Sequence, residues 1–242
     1  SEKDNLATIL SFSEAGVQFK FYKGDNDFIS KYPFIPYQFD LFQQCIKALS
    51  RHNAFQGKHS SVGERNMLGT FQEVLKDVES KDARSLISYD KLFEGIRATI
   101  KGEIQNAVTL AERQLSNHLA IRILKALFLV KYYDSFKTTK RNIAVLLIDS
   151  MDVDLKEHEK AVEEALNILE QQTYVHRNGD IYEYLTDDEK DIEDAIKVTE
   201  IDPGQLTIFF NEVIFDEIIR DNRIKYLENK QDFEFSRKVD GI

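Results

Sequence analysis

The chain has 242 residues, 42% of them hydrophobic, with only three prolines and ten glycines. Collagen-like, linker-like and low-complexity classes are excluded, and the length suits one large domain or two to three small ones. With 32 Lys+Arg against 42 Asp+Glu, the net charge is −10. Such a chain repels phosphate backbones unless basic residues concentrate locally. The single cysteine, Cys45, excludes an internal disulfide and cysteine-rich zinc modules. No apolar run approaches the roughly 18 residues of a membrane span. The opening Ser1–Leu10 lacks the basic and apolar regions of a signal peptide. A cytoplasmic protein without membrane contact is expected. The sequence lacks an initiator Met and reads as a segment of something longer.

Residues 1–30 form a short lead segment, in which Val17, Phe19 and Phe21 alternate with polar residues as in a half-buried strand. Gly24-Asp25-Asn26-Asp27 reads as a turn. Residues 31–117 read as a helical bundle. Pro33 and Pro36 bracket an extended stretch before a helix over 37–49 with Phe39, Phe42, Ile46 and Leu49 on one face. A polar loop over 52–61 leads to a helix over 62–78, with Met67, Leu68, Phe71, Val74 and Leu75 at core spacing. Ser61 and Glu64 fit a capping box there. A long proline-free helical region over 89–133, broken near Ser116-Asn117, carries Leu92, Ile96, Ile100, Ile104, Val108, Leu110 and Leu115.

Residues 118–200 show the order helix, helix, helix, hairpin. An apolar helix covers 120–132, Thr138-Thr139 supply a cap before Asn142–Leu147, and a third helix spans 156–172. Two alternating runs then flank Arg177-Asn178-Gly179-Asp180, where Asn-Gly is a hairpin signal. The predicted fold is mainly α, a bundle followed by a winged helix-turn-helix with a small β-hairpin wing. A charged helix over 187–198 ends this region, and residues 201–242 then carry Asp202-Pro203 as a cap with proline in the first turn, a helix over 205–220 and a second hairpin around Asn229-Lys230.

No phosphate-binding loop or dinucleotide fingerprint occurs, so the chain is no ordinary NTPase by itself. The five histidines lack metal-ligand spacing, and no metal or cofactor is expected within these residues. No nucleophile elbow is present, Cys45 sits on an apolar helical face, and no catalytic residue is assigned. Two segments remain. Gly63 opens a helix N-terminus suited to anions, with Glu64 and Arg65 beside it, and Arg65 could reach a phosphate of a partner domain. The other is the third helix of the winged unit, the usual DNA reader. Between Ser150 and Lys190, however, 4 basic residues face 12 acidic ones, which opposes groove insertion. Between His118 and Asp149 the balance is 6 basic to 2 acidic, so weak DNA contact would use Lys137, Lys140 and Arg141 on the phosphate backbone.

The run Tyr32-Pro33-Phe34-Ile35-Pro36-Tyr37-Gln38-Phe39-Asp40-Leu41-Phe42-Gln43, with Gly63-Glu64-Arg65-Asn66-Met67-Leu68 and Phe71-Gln72-Glu73, resembles the large P-loop proteins of BREX bacteriophage-exclusion systems (BrxC/PglY type). Leu124–Tyr132, Asn142–Leu147, Tyr182–Thr186, Asp232–Phe235 and Val239–Gly241 resemble the same family. The family usually carries Ser where Asn66 stands. The resemblance implies an AAA+-like ATPase in bacterial phage defence that uses ATP and Mg, with its phosphate loop upstream of these residues. The present chain would be a non-catalytic lid and winged-helix segment that couples nucleotide state to docking. Gly63, Glu64 and Arg65 would sense nucleotide, with Arg65 as a lid arginine. The implied partners are the ATPase core of the same chain and other BREX proteins. The alternatives are a free-standing winged-helix DNA-binding regulator and a protein-interaction scaffold.

Overall fold

The computed structural model describes residues 2–13, 19–56, 64–76, 82–199 and 202–237. These residues are mainly helical, with two small antiparallel hairpins. The chain divides into two compact units, Ser1–Glu193 and Asp194–Ile242.

The larger unit begins with α1 (Glu2–Ile9), α2 (Asp25–Lys31) and α3 (Pro36–Arg51). Pro36 suits the first turn of α3, where an amide would lack a partner anyway. Gln38 then reaches back: its Oε1 accepts the Ile35 amide at 3.0 Å while its Nε2 donates to the Ile87 carbonyl at 2.6 Å. Leu41, Phe42, Cys45, Ile46 and Leu49 bury the inner face. Next come α4 (Glu64–Lys76), α5 (Lys91–Arg97), α6 (Gly102–Gln114) and α7 (His118–Val130). Apolar on nearly every side, α7 can be satisfied only in the interior. It packs against α3, α5 and α6, and against α8 (Lys140–Leu146), α9 (Leu155–Gln171) and strand β2 (Ile181–Tyr184).

β2 pairs antiparallel with β1 (Val175–Asn178), in the register Val175↔Tyr184 and Asn178↔Ile181. The two connecting residues are therefore Gly179 and Asp180, not Asn-Gly. Gly179 takes φ +60°, which fits a Gly-first, type II′ turn. A further bridge joins Thr139 to Ile181, so the stretch before α8 lies beside the hairpin like a third short strand. α10 (Asp187–Val198) runs across the boundary between the units. The smaller unit continues with α11 (Pro203–Glu212), a π-helical segment Val213–Ile218 and the hairpin β3 (Arg223–Lys225) and β4 (Asp232–Glu234). Asp202 caps α11 by accepting the Gly204 amide at 2.8 Å, ahead of Pro203.

Several expectations are corrected. Phe19 and Phe21 belong to no strand, and Val17 lies outside the described residues. Phe19 instead joins an aromatic cluster with Phe12, Tyr37 and Phe136. Asp25-Asn26-Asp27 opens α2 rather than closing a turn, since acidic side chains suit a helix N-terminus. The helical region over 89–133 also breaks at 98–101, where a bridge from Phe55 to Ile100 captures the backbone. Leu68, Leu75 and Leu110 are exposed. Each lies beside the buried stripe of its helix rather than on it. The helix expected over 205–220 changes hydrogen-bond register at Val213.

α4 and α5 approach closely at Gly95. A Cβ there would stand 2.5 Å from Thr70 Cγ2 and 2.9 Å from Thr70 Cα, so the helices would have to part. Gly95→Ala should cost about 1–3 kcal/mol of stability, read as a lower urea midpoint.

Candidate functional site

Ser61 and Gly63 lie outside the described residues, and with Ser61 the expected capping box to Glu64. Glu64 and Arg65 form the first residues of α4, in the larger unit. The other candidate group sits where the loop before α8 meets that helix. Lys137 is exposed. Thr139 caps α8, its hydroxyl accepting the Asn142 amide at 3.2 Å. Lys140 pairs with Glu163 of α9 at 3.0 Å.

Arg141 faces inward rather than outward. Its Nη1 pairs with Glu159 at 2.7 Å. Its Nε donates to the Ser11 carbonyl at 3.1 Å, and its Nη2 donates to the Thr8 carbonyl at 2.9 Å and the Ile9 carbonyl at 3.2 Å. Thr8 and Ile9 end α1, and the last carbonyls of a helix carry partial negative charge that favours a cation. The next residue, Asn142, is fully buried. Its Oδ1 accepts the Ser13 amide at 2.8 Å, and its Nδ2 donates to the Ser13 carbonyl at 2.9 Å and the Lys137 carbonyl at 2.8 Å. Together the two side chains bind the N-terminal arm to α8. Residue type alone gave no signal for this role, because the partners in the arm lie about 130 residues away.

The outer face of α9 carries Glu157, Glu163 and Glu164, all exposed. Of the basic residues proposed for phosphate contact, Lys140 and Arg141 are thus engaged by α9 and the arm, and Lys137 projects to solvent. Beside Lys137, a cleft of about 610 Å³ opens between the 131–139 loop and the β1–β2 hairpin, walled by Tyr133, Tyr182 and Tyr184. Lys131 fills its floor, donating to the Tyr184 carbonyl at 2.6 Å and pairing with Glu189 at 2.6 Å. Glu189 also accepts the Thr186 amide at 2.7 Å while Thr186 accepts the Glu189 amide at 3.3 Å. That reciprocal pair is a capping box for α10, and Thr186-x-x-Glu189 was its unread sequence signature. Burial opposes the Glu189 charge, but Lys131 and the Thr186 amide outweigh it and hold the carboxyl below its ordinary value.

The α5–α6–α7 junction carries a second charged group. Arg97 grips Glu112 with two bonds, 3.0 and 2.7 Å, and Lys125 reaches Glu112 at 2.6 Å and Glu94 at 2.5 Å. The Arg97 fork, against some loss of hydration and with help from Lys125, lowers the Glu112 carboxyl from 4.5 to about 2. A depressed acid stabilises the fold above its ordinary value and loses that contribution as pH falls through the depressed one. The urea midpoint of the larger unit should therefore drop between pH 4.5 and about 2, and Glu112→Gln should flatten that decline.

Cys45 is fully buried, and desolvation pushes its thiol up to about 12, as an inert core residue requires. Among the described residues, no group of three or more His, Cys, Asp or Glu side chains could hold a metal ion, and no helix is long and apolar enough to cross a membrane. His52 stacks on Tyr132 with ring centroids 4.0 Å apart, and His158 Nε2 lies 2.9 Å from the Ala144 carbonyl.

Residues 199–242 match the family described as BREX ATP-binding protein BrxC 4th domain with six-stranded beta sheet. This match supports reading the chain as a segment of a BrxC-type BREX protein. The match spans α11, the π-helical segment and the β3–β4 hairpin, whereas residues 1–198 lie outside it. No solved structure matches the chain.

Proposed function

We propose that this BrxC-type segment transmits nucleotide state from an ATPase core to a docking surface in phage defence, without hydrolysing ATP itself. Residues 31–117 act as a helical lid, with Gly63, Glu64 and Arg65 facing nucleotide held on the core with Mg. Residues 118–200 act as a winged helix. Residues 201–242 open the following domain. The observation carrying this reading is the family match, because it joins an ATP-binding protein to a region preceded by three helices, a hairpin and α10. The Thr139–Ile181 bridge supports the winged helix, since it adds to the hairpin the short strand that such a unit places before its second helix.

Docking by this winged helix favours protein over DNA. The third helix presents carboxylates where a groove reader needs Lys, Arg, Asn or Gln. Lys140 and Arg141 are already paired with Glu163 and Glu159. The partners are then other BREX proteins. In the full-length protein, Arg65→Ala should lower ATP hydrolysis about tenfold or more, as loss of a charge-stabilising donor does. Unchanged turnover would remove the lid assignment. Turnover by the 242-residue chain alone would refute the non-catalytic reading.

A further inference from the structure

The described residues of the smaller unit enclose no interior. Among its described residues from Asp202 to Arg237, none is buried. Ile224 is 64% and Phe233 53% exposed, although they stand directly opposite each other across β3 and β4. The strand period places Tyr226 and Phe235 on the same face. The opposite face is charged: Arg223 pairs with Glu234 at 2.7 Å, and Lys225 stands opposite Asp232. One apolar and one charged face are the pattern of an antiparallel sheet with a core on one side and water on the other. A lone two-stranded hairpin is marginal in water, so this pattern has no partner within the hairpin itself.

The ladder shows where further strands could join. The Tyr226 amide donates to the Gln231 carbonyl at 2.9 Å and the Phe235 amide to the Asn222 carbonyl at 3.3 Å. Hydrogen-bonded pairs alternate in an antiparallel ladder, so Ile224↔Phe233 is the bonded pair between them. The backbone groups of Arg223 and Lys225 then point out from one edge, and those of Asp232 and Glu234 from the other. The matching family has a six-stranded sheet, and two strands are present among the described residues matched.

We propose that β3 and β4 are two strands of a six-stranded sheet whose other four, encoded outside residues 199–242, pair onto a free edge of this hairpin and turn its Ile224–Phe233 face into core. The inference does not depend on the lid or winged-helix reading. Amide hydrogen exchange on the full-length protein and on the 242-residue chain tests it. In the full-length protein, one edge pair, Arg223 and Lys225 or Asp232 and Glu234, should exchange at least about a hundredfold more slowly than in the shorter chain. Equal rates in the two proteins would overturn the proposal. So would concentration-dependent protection in the shorter chain, which would assign the edge to a second copy. Phe233→Ser should leave exchange unchanged in the shorter chain and accelerate it at those edge amides in the full-length protein. No acceleration there would overturn the assignment of the apolar face.

Discussion

Arg122→Ala should destabilise the larger unit by about 3–5 kcal/mol, the range for removing one partner of a buried ion pair. Asp90 is 2% exposed at the residue just before α5, yet its carboxylate makes no capping bond there. Its carboxylate faces Arg122 Nε and Nη2 at 3.3 and 3.4 Å. The same guanidinium donates to the Leu147 carbonyl at 2.8 Å, at the end of α8, and pairs with Asp149 at 3.0 Å. Truncation therefore strands a carboxylate in low dielectric and unsatisfies a helix-terminal carbonyl together. For a unit of this size, melting should fall by roughly 10 °C, since each kcal/mol is worth about 2–4 °C. Arg122→Lys should recover only part of the loss, because an ammonium cannot reproduce the fork that reaches three acceptors. The decisive measurement is a double-mutant cycle with Asp90→Asn. If the Arg122→Ala penalty is as large once Asp90→Asn has removed the carboxylate, that buried charge is not its source.

How much of this was legible in the sequence depended on range. Thr139, Asp202-Pro203 and the β1–β2 hairpin act within a few residues, and the caps and the hairpin stand where local pattern put them. The Thr186–Glu189 box was equally local but sat at the edge of a helix read only for its charge. The break at 98–101 had no local cause, because Ile100 is held by Phe55, far back along the chain. Leu68 and Leu75 counted as core by hydrophobicity, but a helix buries a stripe, and theirs runs through Met67, Phe71 and Val74. Lys140 and Arg141 carried the most visible charge in residues 118–200. Composition assigned that charge to an external phosphate, whereas the fold supplies Glu163, Glu159 and the carbonyls of α1. Charge type is legible in sequence, but the partner that neutralises it is set by tertiary packing.

That distinction bears most on Asn142. Its side-chain amide behaves as an inserted peptide group, with acceptor and donor both engaged by Ser13 and a second donation to Lys137. Asn142→Ala removes these three direct bonds at a site with no exposure and leaves a void. At about 1 kcal/mol per neutral bond plus a cavity term, the loss should be about 3–4 kcal/mol. Asn142→Leu fills the volume but leaves the Ser13 and Lys137 groups without partners, so it should restore little. Asn142→Asp is the sharper variant. When ionised it donates nothing to the two carbonyls, and burial disfavours its charge, so its folded value should rise above the ordinary carboxylate range. An acid raised in the folded state weakens the fold as pH climbs above the unfolded value, so this variant should melt progressively lower from about pH 4 upward, while Asn142→Ala shows no added slope. The same loss should free the arm before the unit unfolds. Arg141 would still hold the end of α1, but the connection at Ser13 would be gone. Exchange at the Ser13 amide should then rise in Asn142→Ala, with the amides of α7 unchanged below the melting transition. If the arm stays protected, Arg141 alone carries the attachment, and Arg141→Ala should release it instead.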